Sequence, residues 1–377
     1  MRFSSAFFAA TVVLPVFGLP AVVPITKRGG TLKENSYIIT LKDGVLASNF
    51  IQSFKSSLTQ PDSTVSHVYT VINGLAVTIG PSDLSIVRGM AEVASIEQDQ
   101  ILSLPDHEFR DLSVANESQS SSSMTSEDGE GVTIYGLDTG IFVEHECFEG
   151  RARWGWAAPL LLQKDVQGHG THTAGTAIGK GFGVATKAEM VAVKVMNDAG
   201  TGSISDIIAG IDYACNDFKN NGRKPSIVTM SIGGSKNEPL DKAVQACIGW
   251  GVHFTVAAGN DNKDVVAYSP ASAEQANTVG AVDEKHAKAS FSNFGSIVDI
   301  QAPGVNIVSA GNLDPKSSKS ASGTSMATPF VAGVLAVALS NHGQMSPADL
   351  SQQLKQNAQA ICTGMPSGTT DLLATPW

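Results

Sequence analysis

From residue 131 onward, short apolar runs alternate with longer amphipathic stretches, and no other feature narrows the fold as far. The runs are Val132–Leu137, Val191–Met196, Ile227–Ser231, Val252–Ala257 and Thr278–Val282. Each is brief, continuous and mostly apolar, which suits a strand buried on both faces. Residues 204–220, 237–250 and 325–341 read as helices. Such alternation predicts an α/β fold: a doubly wound, mostly parallel sheet with helices on both faces. Ligands of these sheets bind beyond the carboxyl ends of the strands. Asp138, Ser231 and Asn260 fall at or just after such ends. His169 and Ser325 fall at predicted helix starts. The pattern therefore brings all five to one sheet edge.

The 377 residues are 42% hydrophobic and 16% charged, a globular composition with a large core. That length suits one large domain and a smaller one. A formal charge of −10 with no offsetting Lys/Arg cluster argues against a nucleic-acid surface. Residues 1–20 read as a secretory signal peptide: Arg2, then the apolar stretch Phe7–Leu14, then Pro15, Gly18 and Pro20. The stretch is too short and broken to span a membrane, and no later run reaches 18 uninterrupted apolar residues. A soluble chain on the secretory route is expected, secreted or vacuolar.

Residues 33–104 form a second, smaller unit. Tyr37–Leu41 reads as a strand and 45–58 as a helix. Val68–Ile72 and Leu75–Ile79 flank Asn73-Gly74, the sequence of a type I′ hairpin turn. Pro81–Met90 reads as a helix opening on proline, and Val93–Glu97 as a closing strand. The order β-α-β-β-α-β predicts a ferredoxin-like α+β unit. Residues 105–130, rich in Ser, Glu, Asp and Gly, read as a linker. It carries one glycosylation sequon, at Asn116. The large domain then occupies 131–377.

Three motifs carry chemistry: Gly136-Leu137-Asp138-Thr139-Gly140, Gly168-His169-Gly170-Thr171-His172 and Ser322-Gly323-Thr324-Ser325-Met326-Ala327-Thr328-Pro329. Each has an ordinary reading. Asp-Thr-Gly is common in turns and also fits an aspartic-protease half-site. His169 and His172 have metal-pair spacing, though no third ligand follows nearby. Taken together, Asp, His and Ser in this order form a nucleophilic triad. A serine hydroxyl needs a base, which His169 supplies, and Asp138 holds the ring in the required tautomer. Asn260 and the Ser325 N–H, at a helix N-terminus, are donors for a developing oxyanion. Gly168 and Gly170 let His169 sit close to the strand ends, and Gly323 permits the turn before Ser325. Pro329 lies near enough the helix start for its missing N–H to matter little. His145, His172 and His253 read as structural.

These motifs, with Phe148-Glu149-Gly150-Arg151-Ala152, Tyr268-Ser269-Pro270-Ala271-Ser272 and Ser290–Gly295, resemble the subtilisin-type serine proteases, closest to the fungal proteinase K-like branch. The resemblance covers 131–341 almost continuously, and 36–100 resembles the family's inhibitory propeptide. It implies a monomeric zymogen that needs no cofactor for chemistry and cleaves polypeptides, with its own propeptide as inhibitor in cis. Ser231, Ile232 and Gly233 would pair with extended substrate, and Gly200, Thr201 and Ile204 would form the facing wall. Ala257, Ala258 and Gly259 would line a pocket for an apolar or aromatic side chain. The propeptide tail, 100–106, would lie in the cleft and be cut near 105. A structural calcium would be held by Asp299 with the carbonyls of Glu274 and Ala276. The chain departs from the family in 104–130, where no Ala-Pro-Trp-Gly-Leu-like stretch occurs, and at Phe330 and Glu274, usually histidine and proline. The cysteines occupy other positions than the branch's own. If 204–220 and 237–250 are neighbouring helices, Cys215 and Cys247 can pair. A non-catalytic inhibitor or scaffold that fails to mature is the rival reading.

Overall fold

The computed structural model describes residues 22–104, 110–112 and 128–377. The predicted signal peptide and Asn116 lie outside the described residues. The small unit is a sheet with strand order Ile25–Thr26, Val93–Ser103, Thr31–Leu41, Gly74–Thr78, Thr64–Tyr69. Helices α1 (Ala47–Ser57) and α2 (Pro81–Arg88) bury Phe50, Phe54, Leu84 and Val87 in a core with Ile39, Val77 and Ile96. From residue 31 the order is β-α-β-β-α-β, the predicted split unit.

The hairpin differs from the two-residue turn expected at Asn73-Gly74. Tyr69 pairs with Gly74, so residues 70–73 form a longer loop. The large unit pulls that loop out: Asp212 accepts the backbone N–H groups of Thr70 and Val71 at 2.8 and 2.6 Å. Gly74 serves a close approach instead, since a Cβ there would lie 2.3 Å from the Ile39 carbonyl oxygen.

The large unit is a nine-stranded sheet in the order Gln359–Ala360, Leu372–Leu373, Ile300–Pro303, Asn277–Val282, His253–Ala257, Ser226–Met230, Thr133–Asp138, Glu189–Lys194, Ala152–Ala157. Every neighbouring pair is parallel except the first. Its helices are α3 (His169–Ile178), α4 (Ile204–Asn220), α5 (Glu238–Gly249), α6 (Thr324–His342) and α7 (Pro347–Asn357). Helices α3, α6 and α7 contribute to the core on one face, and α4 and α5 to the core on the other. Helix α6 is long and apolar enough to cross a membrane, but most of it is buried inside the protein, as suits a helix that is apolar on all sides. Cys215 and Cys247 form a disulfide between α4 and α5. Cys147 and Cys362 are buried thiols, pushed up by burial to about 12 and about 11.

The two units share a core. Ile38, Tyr69, Val71, Ala76 and Leu102 of the small unit join the cluster containing Ile204, Ile207 and Ile211 of α4. The strand predicted as Val93–Glu97 runs on to Ser103, with Gln98, Gln100 and Ile101 paired to Tyr37, Leu32 and Thr31 inside the small unit. Its last residues pair antiparallel with Thr201–Ser203 of the large unit. The linker reading also needs correction at one point, because Arg110–Leu112 is a strand paired antiparallel with Ser318–Ala321.

Candidate active site

Asp138 ends the strand Thr133–Asp138, and His169 opens α3. Gly168 caps that helix at φ +94°, in the left-handed region, so the chain turns sharply into His169. Gly170 then allows the approach to Asp138: a Cβ would fall 2.1 Å from the Gly140 carbonyl oxygen and 3.1 Å from the Asp138 Cβ. The His169 Nδ1–H donates to the Asp138 carboxylate, 2.8 Å from each oxygen. Both side chains are buried. This pairing fixes the tautomer in which Nε2 is the basic nitrogen.

Asp165, which the sequence reading passed over, organises this corner. Buried, it accepts from the Thr139 hydroxyl and the Gly168 N–H at 2.8 Å and from the Thr171 N–H at 2.9 Å. The residue after Asp138 and both sides of His169 are thereby tied to one carboxylate. A lone aspartate in a loop carries no local signature of such a role. His172 donates to the Ile307 and Lys319 carbonyls, and burial, followed by the neighbouring His169, pushes it down to about 4. It is a neutral structural histidine.

Ser325 is the second residue of α6. There its N–H has no partner within the helix. The turn before it needs no left-handed glycine, because Gly323 has φ 162°, an extended conformation. Pro329 matters more than its position suggested. The helix starts one residue earlier than expected, and the missing Pro329 N–H would have bonded the Ser325 carbonyl. The Ser231 hydroxyl bonds that carbonyl instead, at 2.8 Å, and the Ser325 hydroxyl donates to the Ser231 carbonyl at 3.1 Å. Ser231 follows the strand Ser226–Met230, which neighbours Thr133–Asp138, so the Asp138 and Ser325 neighbourhoods occupy adjacent strand ends.

Asn260 accepts from the Thr324 N–H and hydroxyl through its Oδ1, both at 2.9 Å. Its amide NH₂ end is then the one oriented to donate elsewhere. Asn260, Ser231, Ile232, Gly233, Ala257, Ala258, Gly259 and Ser325 line one cavity of about 440 Å³. Asp261 adds a charge to the lining, near Tyr268. Burial, then the Asp261 carboxylate, pushes the Tyr268 phenol up to about 12.

The small unit enters the same cavity with Ser103 and Leu104. Thr201, Gly202 and Ser203 pair with Ser103, Leu102 and Ile101, and the Leu104 N–H donates to the Gly200 carbonyl at 2.8 Å. Ile204 is buried in the shared core beneath Leu102. Upstream, Asp99 is fully buried. It accepts from the Ser36 hydroxyl and from the N–H and hydroxyl of Ser205, in the first turn of α4, where a helix favours negative charge.

The expected calcium ligands do not fit a calcium ion. Asp299, Glu274 and Ala276 do line one cavity, of about 530 Å³. But the Lys355 ammonium lies 2.5 Å from Asp299 Oδ1, and the Thr278 N–H donates to Oδ2 at 2.8 Å. Calcium takes about 6–8 oxygen ligands at about 2.3–2.6 Å, and here a lysine ammonium already sits on the one carboxylate of the set.

Residues 129–372 match the Subtilase family, and residues 36–105 match Peptidase inhibitor I9. The chain is 45% identical over 271 residues to the subtilisin-like serine protease Cla h 9.0101 of Davidiella tassiana, covering 66% of this chain and 52% of that protein. It is 36% identical over 377 residues to the cuticle-degrading protease of Metarhizium anisopliae, covering 94% and 97%. It thus spans about half the length of several curated relatives it matches. A solved cold adapted subtilisin-like serine proteinase superposes with a TM-score of 0.63 at 40% identity, covering 67% of this chain and 91% of that one. The chain belongs to the Subtilase family, with an I9 inhibitor unit ahead of its family domain.

Proposed function

We propose that the chain is the self-processing zymogen of a secreted serine endopeptidase. The observation that carries this reading is the buried Asp138–His169 pair at the sheet edge where Ser325 opens α6 and lines a cleft entered by the chain's own strand Val93–Ser103. Ser325 Oγ passes its proton to His169 Nε2 as it attacks the carbonyl carbon, and Asp138 stabilises the imidazolium. The oxyanion takes hydrogen bonds from the Asn260 amide and the Ser325 N–H. The imidazolium protonates the leaving amine, the C–N bond breaks, and water then releases the acyl group with His169 again as base.

Substrate adds as a strand between Gly200–Thr201 and Ser231–Gly233, in the manner of Ser103 and Leu104 in the precursor. Ala257, Ala258 and Gly259 favour an apolar or aromatic residue before the scissile bond, since none of the three carries a charge or a polar side chain. The I9 unit blocks the cleft until the chain is cut near residue 105. Expression of the wild type and of Ser325→Ala tests the reading. The wild type should convert to two fragments with a junction near 105, and Ser325→Ala should stay full length. A wild type that also stays intact would favour the scaffold reading.

A further inference from the structure

A pocket on the far side of α5 contains a charge arrangement that the reaction does not use. Its walls are Ile248 and Gly249 at the end of α5, the loop Glu274–Ala276, Asp299, and the α7 residues from Pro347 to Lys355. Asp299 lies just ahead of the strand Ile300–Pro303, and its carboxylate is mostly buried. Two donors account for its oxygens: the Thr278 N–H and the Lys355 ammonium. Among the described residues, no group of three His, Cys, Asp or Glu side chains is placed to hold a metal ion. The side chain of Glu274 is exposed.

We propose that Lys355 is a built-in replacement for a divalent cation at this position, so that the Asp299 site holds the sheet, the Glu274–Ala276 loop and α7 together without calcium. An ion within coordinating distance of Asp299 Oδ1 would have to share that oxygen with an ammonium already 2.5 Å from it. Like-charge repulsion at such range, with few oxygens to offset it, keeps the ion out. Helix α7 has few other ties: within it, only Leu350 and Leu354 are fully buried. The lysine reaches from the last turn of that helix to the start of a sheet strand.

The test is thermal unfolding of the full chain in the Ser325→Ala background, where self-cleavage cannot confuse the signal. Each form is measured in chelator and in millimolar calcium chloride. The parent should melt at the same temperature in both. Lys355→Met should melt about 2–4 °C lower in chelator and regain part of that loss in calcium. Lys355→Met with Asp299→Asn should show no calcium response. A calcium response in the parent that Asp299→Asn abolishes would overturn the proposal, and so would a Lys355→Met form as stable in chelator as the parent. Neither outcome bears on whether the chain is a protease.

Discussion

A proline six residues into a helix removes the N–H that would bond the carbonyl four residues back, and in α6 that carbonyl belongs to Ser325. Left buried and unbonded, it would cost about 1–3 kcal/mol. Ser231 relieves this with its hydroxyl, and its own carbonyl accepts from Ser325 Oγ. The two serines therefore position each other. Ser231→Ala should orphan the carbonyl and loosen the backbone that carries both the proposed nucleophile and one proposed oxyanion donor. On the proposed mechanism, kcat should fall about tenfold with KM changed less than about twofold, and Ser231→Thr, which keeps the hydroxyl, should restore most of it. Equal losses of kcat in the Ala and Thr variants, or a change in KM alone, would show that the hydroxyl has no such part. Nothing in the motif Ser322–Pro329 read alone points to Ser231 as the partner of the freed carbonyl, because the contact spans 94 residues.

Elements whose identity depends on local pattern were legible in the sequence. Thr133–Asp138, Ser226–Met230 and α4 lie within one or two residues of where apolar runs and helical spacing place them. The motifs around Asp138 and His169 were legible for a related reason: a glycine beside a candidate residue marks a close backbone approach, as Gly170 shows. What local pattern missed, distant contacts decide. The 70–73 loop is drawn out by Asp212, and the strand from Val93 is prolonged first by pairing with Thr31 and Leu32 and then, at its end, with Thr201–Ser203. Arg110–Leu112 lies in a polar stretch and becomes a strand only because Ser318–Ala321 offers an edge. Asp165 and Lys355 act through side-chain reach, which periodicity does not encode. Glu274, Ala276 and Asp299 line one cavity, yet the residue that decides its chemistry comes from α7.

At the scale of the molecule, the I9 unit meets the large unit through carboxyl groups as well as through apolar contact. Glu97 is buried at the junction, where it accepts from the Asn237 amide at 2.7 Å and lies 3.5 Å from Arg28. Burial raises its carboxyl to about 7. Arg28 works against this, while Glu238 and Asp241 add to it. A carboxyl whose docked value lies above its free value binds its proton more tightly when docked. Its contribution to docking is therefore complete below the ordinary carboxylate value, near 4.5, and is lost as pH rises through about 7. Inhibition of the processed enzyme by its released I9 fragment should weaken by about tenfold or more across that interval, and Glu97→Gln should flatten the dependence. An unchanged profile in the variant would assign the effect to other groups.

The proposed function rests on Ser325 being a nucleophile activated by His169. The most direct measurement is peptide mapping after labelling the processed chain with a serine-directed fluorophosphonate. The account predicts one adduct, on Ser325, suppressed when the released I9 fragment is added back in excess before the label. An unlabelled chain, or a label on another residue with Ser325 unmodified, would contradict it.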